Sequence, residues 1–285
     1  MKLLRALVAA LLSLSLLSGC GGGGKPAAGG GAELNVFCFS AGKADAFLLY
    51  TARSAVVIDC GEKGFGGDIL DYMESVGLDR LDCLIISHFD KDHVGGAAKI
   101  LNNIPVGTVL QSNHPKDSEE YGKYVKALNN AGLEPVTVRE TLAFTLDGVD
   151  YSVDPPRKDD YDSDGSNNSS LIVSVRNGEN DLLFTGDAQD ERLAEFISAN
   201  RTGYEFLKVP YHGHWQKMLP ELVASVRPSI AVVTSSDREP EDPATLALLA
   251  EAGAEIYLTR EGAALLRCDG KTMRMEPAAE QAAAA

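Results

Sequence analysis

The chain has 285 residues, 45% of them hydrophobic, enough for one large globular domain or two small ones and too apolar for a mainly disordered protein. It carries 26 basic and 41 acidic residues, a net charge of −15. Such a field repels polyanions at long range, which counts against a high-affinity nucleic-acid binder but not against a hydrolase that meets a phosphodiester at a metal.

Met1–Arg5 holds two positive charges, Ala6–Leu17 is an unbroken run of Ala, Leu, Val and Ser, and Ser18-Gly19-Cys20 follows. A charged start, a short apolar core and a small-residue cleavage site make a secretory signal, and the run is too short for a comfortable membrane span. Cys20 after Leu-Ser-Gly resembles the bacterial lipobox. That resemblance implies a signal peptide over 1–19, a lipidated Cys20, and a location outside the cytoplasm, anchored to the bacterial cell membrane. Loss of Lys2 and Arg5 with the leader deepens the charge from −15 to −17. Residues 20–32 continue as a Gly-rich tether with no side chains to bury. Cys38, Cys60, Cys83 and Cys268 lie in apolar runs and read as buried thiols, with a disulfide open to them outside the cytosol. No CxxC pair is present, which argues against a structural zinc knuckle.

From Leu34 onward strand-like and helix-like segments alternate. Leu34–Phe39, Ala46–Tyr50 and Ser54–Asp59 read as three strands, Asp68–Val76 as a helix and Cys83–Ser87 as a buried strand. Gly96–Leu101 reads as a helix, Thr108–Gln111 as a strand, and Ser118–Ala131 as a helix opened by Ser with acids in its first turn. Val136–Val138, Phe144–Leu146 and Asp150–Val153 are short strands, and the polar Asp154–Asn168 stretch is a loop without the ligand series of an EF-hand. Leu171–Val175 and Leu182–Thr185 make a hairpin around Asn177-Gly178. Ala188–Ala199 is a helix, Phe206–Pro210 and Ile230–Thr234 strands, and Pro243–Ala252 a helix with proline in its first turn. Ile256–Thr259 and Ala263–Cys268 complete the sheet, and 274–285 is expected to be a disordered tail. One layered α/β domain over 33–273, with no internal repeat, accounts for the whole pattern.

The densest chemistry is Ser87-His88-Phe89-Asp90-Lys91-Asp92-His93-Val94-Gly95-Gly96, where His88, Asp90, Asp92 and His93 fall within six residues directly after an apolar strand. A loop there can turn several side chains toward one point, whereas a helix would scatter them, and Gly95-Gly96 is expected to free the backbone to turn. Asp187 follows a second apolar strand in Phe-Thr-Gly-Asp-Ala, and His212 a third in Val-Pro-Tyr-His-Gly-His. Three strand ends delivering imidazoles and carboxylates suit a dinuclear site in which Asp187 is the natural bridge.

This HxDxDHxGG run, the FTGDA segment and the HG box together resemble the metallo-β-lactamase superfamily, on the ComEC-like branch. Gly42, Asp45 and Ala46 resemble that branch's DVGQGDA segment, Val57–Gly61 its IDxG turn, Asn167–Leu171 its N-x-S-L element, and Leu207–Gly213 its LKVxHHG box. The resemblance implies the αβ/βα four-layer sandwich and two divalent metal ions, Zn or Mn. It places one at His88, Asp90 and Asp187, and the other at Asp92, His93, Asp187 and His212. With Asp90 where many relatives carry histidine, the first position is poor in nitrogen, and oxygen-rich ligation favours harder ions. Tyr211 stands where the branch has the first histidine of its box.

Asp59 is expected to support the metal loop by hydrogen bonds, and Asp45 to do likewise or line the site. Asp92 or Asp90 is expected to orient the attacking water, and His214 or Lys217 to bind an anion or protonate a leaving group. His114 reads as an ordinary loop histidine. The expected function is a phosphodiesterase outside the cytoplasmic membrane, with nucleic acid as a substrate only or a cell-envelope phosphodiester in its place. The alternatives are a metal-depleted, envelope-tethered binding module and a lactamase or lactonase.

Overall fold

The computed structural model describes residues 32–199 and 203–278; the leader, Cys20 and the tether through residue 31 lie outside them, as does the tail from 279. Six strands open the domain: β1 (Leu34–Cys38), β2 (Ala46–Tyr50), β3 (Ala55–Cys60), β4 (Leu81–Ile86), β5 (Val106–Gln111) and β6 (Val136–Thr137). Seven follow: β7 (Leu142–Leu146), β8 (Val149–Asp154), β9 (Ile172–Asn177), β10 (Asn180–Phe184), β11 (Phe206–Lys208), β12 (Ile230–Val233) and β13 (Glu255–Leu258). The chain then returns to the first sheet as β14 (Ala264–Cys268) and β15 (Met273–Pro277). The first sheet has the order β15-β14-β1-β2-β3-β4-β5-β6 and the second β13-β12-β11-β10-β9-β8-β7.

Strand alternation sorts the apolar residues into layers. In β1, Leu34, Val36 and Cys38 enter the core between the sheets, while Phe37 faces outward. In β10, Leu182 and Phe184 face the other sheet and Leu183 faces away. Helices Gly66–Ser75, Ala97–Leu101 and Glu119–Ala131 cover the outer face of the first sheet. Asp190–Ala199, Leu219–Val226 and Pro243–Glu251 cover the second. The result is the αβ/βα sandwich. Strands buried on both faces read as continuous apolar runs, which is why they stand out in the sequence.

The four described cysteines are buried free thiols. No helix among the described residues is long and apolar enough to cross a membrane.

Several expectations need correction. Residues 274–277, read as tail, form the edge strand β15, because Met275 is buried against the inter-sheet core. Helix Leu219–Val226 has no counterpart in the sequence reading, although Leu219, Leu222, Val223 and Val226 are buried at helical spacing. The Asp154–Asn168 loop ends in a helical turn, Gly165–Asn168, capped by Asp164, whose carboxylate accepts the Asn167 N–H. The β9–β10 turn is formed by Gly178 and Glu179, one residue later than the Asn-Gly pair suggests, with Asn177 facing Asn180.

Phe184 fills the space between the sheets, its ring centroid 5.3 Å from those of both Phe47 and Phe206. It also ends the strand that leads to Asp187. Phe184→Ala is expected to cost about 3–5 kcal/mol of stability, read from the denaturant midpoint. A loss under about 1 kcal/mol would mean that this core tolerates a cavity without consequence.

Candidate metal centre

Three strand ends deliver the side chains. After β4 the chain bends at Ser87, passes Asp90 in extended backbone and turns into the short helix Lys91–Val94. His88 and Asp90 therefore project from the connecting stretch, and Asp92 and His93 from one helical turn. Gly95 and Gly96 do not supply turning freedom, since both have ordinary negative φ. They are needed for close approach. A Cβ on Gly96 would lie 2.2 Å from the Cys60 carbonyl oxygen, and one on Gly95 would lie 2.5 Å from the Lys63 nitrogen.

After β10 the Thr185 hydroxyl donates to the Lys208 carbonyl at 2.7 Å, Gly186 turns left-handed at φ 52°, and Asp187 follows. The Asp187 N–H donates to the Ser170 hydroxyl at 3.1 Å. Asn168 Oδ1 accepts the N–H groups of Gln189 and Arg192. The Asn-x-Ser-Leu element thus fixes both Asp187 and the helix behind it. After β11, Tyr211 and His212 both adopt left-handed backbone, at φ 49° and 53°.

His93, Asp187, His212 and Asp45 each offer a ligand atom, all within 4.8 Å of one another. Asp187 Oδ2 lies 2.9 Å from His212 Nε2 and 3.3 Å from His93 Nε2. Asp92 Oδ2 lies 3.5 Å from His212 Nε2. His88 sits beside His93, with ring centroids 4.1 Å apart, and its Nε2 is 3.8 Å from Asp90 Oδ1.

The outer ring nitrogens are all engaged. His93 Nδ1 contacts Asp59 Oδ2 at 2.8 Å, and His212 Nδ1 contacts the Thr234 carbonyl at 2.9 Å. Ser87 Oγ lies 3.1 Å from His88 Nδ1. The Nε2 atoms of His88, His93 and His212 are buried and make no hydrogen bond. With Nδ1 engaged on the outer side, each Nε2 faces the centre; without metal those of His93 and His212 hold protons toward Asp187, and a metal would take the place of those protons.

The charge balance agrees. Asp45, Asp59, Asp92 and Asp187 are at most 9% exposed, and the buried ammonium among them is that of Lys208. Its Nζ lies 2.5 Å from Asp45, 2.8 Å from the Gly186 carbonyl and 3.5 Å from Asp187 Oδ1. Burial pushes Asp187, Asp45 and Asp92 up, but the facing imidazoles, with Lys208 for the first two, hold all three below the usual carboxylate range. Burial also opposes charge on His93 and His212, yet the surrounding carboxylates, Asp187 foremost, raise His212 above the ordinary imidazole value and His93 well above it. Burial and the neighbouring His93 push His88 down. A buried surplus of carboxylates with three open imidazole nitrogens is a donor set suited to divalent cations.

All six residues singled out as metal ligands gather at this sheet edge. Asp59 stands behind His93, and also accepts the Ser87 N–H and hydroxyl. Asp45 is inside the cluster, tied on one oxygen to Lys208 and on the other to the Thr234 hydroxyl at 2.6 Å. Asp90 is only partly buried, and its Oδ1 accepts from Lys116 Nζ at 2.6 Å and from the Ser166 hydroxyl. His214 sits at the rim, its ring 5.1 Å from Tyr211, and Trp215 is 45% exposed beside it. His114 packs near Gly165, one residue from Ser166.

Two lysines went unforeseen. Lys208 left a signal, a charged residue inside the apolar run Phe206-Leu207-Lys208-Val209. Lys116 left none, because its contact with Asp90 is made between loops.

The sequence profile described as "Metallo-beta-lactamase superfamily" matches residues 40–234. Among curated proteins the chain is 28% identical over 205 residues to Recombination protein 2 of Haemophilus influenzae, covering 70% of this chain and 24% of that protein. It is 26% identical over 175 residues to ComE operon protein 3 of Bacillus subtilis, covering 59% of this chain and 21% of that one. The chain thus spans about a quarter of the length of these relatives. The solved structure of Igni18, a metallo hydrolase from Ignicoccus hospitalis, covers 87% of this chain and 100% of its own with TM-score 0.51 and 14% identity. The metallo-beta-lactamase fold protein YhfI of Bacillus subtilis covers 86% and 100% with TM-score 0.52 and 11% identity. These likenesses are of fold.

With cations removed, the raised imidazoles of His93 and His212 stabilise the fold while they hold protons. That contribution is present below the ordinary value of 6.5 and is lost as pH rises through the raised values. A bound cation supplies charge at every pH and must displace those protons in acid. Mn²⁺ or Zn²⁺ added to chelator-stripped protein is therefore expected to raise the melting temperature more at about pH 9 than at about pH 6. Equal increments at both would sink this charge accounting.

Proposed function

The chain belongs to the metallo-beta-lactamase superfamily, and on that premise we propose that it is a metal-dependent phosphodiesterase working outside the cytoplasmic membrane from a lipid anchor on Cys20. The observation that carries the metal-dependent part is the set of three buried Nε2 atoms without hydrogen bonds, turned on a surplus of carboxylates. Asp92, His93, Asp187 and His212 would hold one cation, and His88 and Asp90, sharing Asp187, the other. When bound, such cations supply Lewis acidity both for the attack of water and for the charge that builds on the scissile group. An oxygen-rich set such as this suits Mn²⁺ as well as Zn²⁺.

The chain's own residues do the rest. Asp92, facing His212, or Asp90 would orient the attacking water through its carboxylate. His214 or Lys217 would bind the anion or hand a proton to the leaving group, the His214 imidazole being held below its ordinary value by burial and so a readier donor as pH falls. A groove of about 470 Å³ opens beside Asp92, with Lys43, Lys91 and Arg238 along it as well as Glu62 and Glu239. Lys43 pairs there with Glu239 and Lys91 with Glu62, so the groove is balanced in charge and lessens, without reversing, the repulsion that an anionic substrate meets from a chain of net charge −15. The name of Recombination protein 2 supports nucleic acid as that substrate.

Metal-reconstituted protein is expected to hydrolyse bis-p-nitrophenyl phosphate, with His212→Ala lowering kcat/KM on the order of a hundredfold or more. Turnover of nitrocefin but not of the phosphodiester would instead favour lactam chemistry. Cys20→Ser is expected to move the protein from the membrane to the soluble extracytoplasmic fraction, and an unchanged distribution would refute the anchor.

A further inference from the structure

The two ends of the centre are unequally furnished. Toward His212 stand Asp92, His93, Asp187 and His212, and the closest gathering of ligand atoms lies there, among His93, Asp187, His212 and Asp45. At the other end, beside the shared Asp187, only the buried His88 and the partly buried Asp90 are left for the second position. There the Asp90 carboxylate already has a cation: the Lys116 ammonium, 2.6 Å from Oδ1. The Ser166 hydroxyl donates to the same oxygen and lies 3.4 Å from Lys116 Nζ. Lys116, Asp90 and Ser166 thus form a polar knot joining three loops.

Lys116 is delivered to this place by a held segment. Ser112, buried before it, donates its hydroxyl to the Ser169 carbonyl at 2.6 Å, and Ser118, after it, caps helix Glu119–Ala131 by accepting the Tyr121 N–H. Its side chain is 38% exposed, so the ammonium can leave for solvent without breaking the loop.

We propose that Lys116 competes with the cation at the His88–Asp90 position, so that the centre fills in two unequal steps: one divalent ion bound firmly at the His212 end, and a second that enters only by displacing the lysine. The physical cost is the ion pair itself. Asp90 Oδ1, the oxygen 3.8 Å from His88 Nε2, is the one that Lys116 and Ser166 already hold, so a divalent cation seated between His88 and that oxygen meets both the repulsion of the nearby ammonium and competition for a short charge-assisted contact. His88 Nε2 remains open to the second ion once the lysine has moved. Lys116 is thereby a positioning residue that sets metal stoichiometry.

This inference rests on the metal-centre reading of the same site. The test is a calorimetric titration of chelator-stripped full chain with Mn²⁺ alone and with Zn²⁺ alone, bound metal being counted by elemental analysis. Wild-type protein is expected to bind one ion tightly and the second at least about fivefold more weakly. Lys116→Met is expected to tighten the second step roughly fivefold, the worth of a partly exposed ion pair, and to leave the first unchanged. Lys116→Arg, which keeps the charge, is expected to preserve the wild-type pattern. Two equal steps in wild type, or an unaltered second step in Lys116→Met, would overturn the competition while leaving the metal centre standing. No binding of either ion would remove both.

Discussion

Four carboxylates withdrawn from water around one ammonium set the terms for this sheet edge. Taking an ion out of water costs several kcal/mol unless it is paired and hydrogen-bonded, so each oxygen must be accounted for. Asp59 spends one oxygen on the Ser87 N–H and the other on the Ser87 hydroxyl and His93. Asp45 spends its pair on Thr234 and Lys208. Asp187 gives Oδ1 to Lys208 and turns Oδ2 toward His93 and His212. Lys208 thus does two things. It neutralises part of the surplus, and it orients the carboxylate that faces the open imidazoles. What remains uncompensated is negative, and faces three nitrogens whose other sides are already occupied.

The backbone is bent to reach this state. Asp59, Tyr211 and His212 are non-glycine residues with φ of 56°, 49° and 53°. Left-handed backbone at such residues costs on the order of 1–3 kcal/mol each and persists only where the surroundings over-determine it. Here they do. β11 is held between β10 and β12, and the Val209 N–H is bonded to Val232, so the chain has four residues in which to rotate the His212 ring inward. Two successive left-handed residues accomplish this, and Gly213 continues at φ 80° where a Cβ would strike Val233. Gly186 has a similar role beside Asp187, since a Cβ there would crowd Ser87 and Ser170 at 3.0–3.1 Å.

Much of this was legible because the same residues serve fold and site. The strands that carry the ligands are buried on both faces, so each ligand announces itself as a polar residue at the end of an apolar run: His88 after Leu84-Ile85-Ile86-Ser87, Asp187 after Leu183-Phe184, His212 after Leu207 and Val209. The layered class followed from the alternation of elements, and the supporting role of Asp59 from its place at the end of β3. What escaped has two kinds of cause. Helix Leu219–Val226 and strand β15 carried readable periodicity, and Pro220 in the helix's first turn is as good a start signal as Pro243; the helix is only two turns long, and the Ala/Glu-rich flank after Met275 pointed away from regular structure. The Lys116–Asp90–Ser166 knot carried none. Its members lie 26 and 50 residues apart along the chain. Only tertiary packing joins them, and a lysine in a polar loop looks the same whether it meets solvent or a ligand.

The centre also sits where the two sheets meet. Asp45, Asp59 and the His88–His93 segment belong to the first sheet, and Asp187, Lys208, His212 and Thr234 to the second. Every contact that positions a ligand across the seam is therefore also a contact between the halves of the sandwich: Thr234 to Asp45, Lys208 to Asp45, Asp187 to His93, Asp92 to His212. Away from this edge the halves are joined by apolar packing such as Phe47 on Phe184, which is strong but non-directional, and by a second set of directional bonds: Thr51 to Asp147, Asn177 to the Cys268 carbonyl and the Glu179 N–H to Gly270. Together with those bonds the charged seam fixes how one sheet is set against the other, and with that the spacing of His88, His93 and His212. Cations held between the sheets would add to the same constraint, so the register of the sandwich and the geometry of the site are one property.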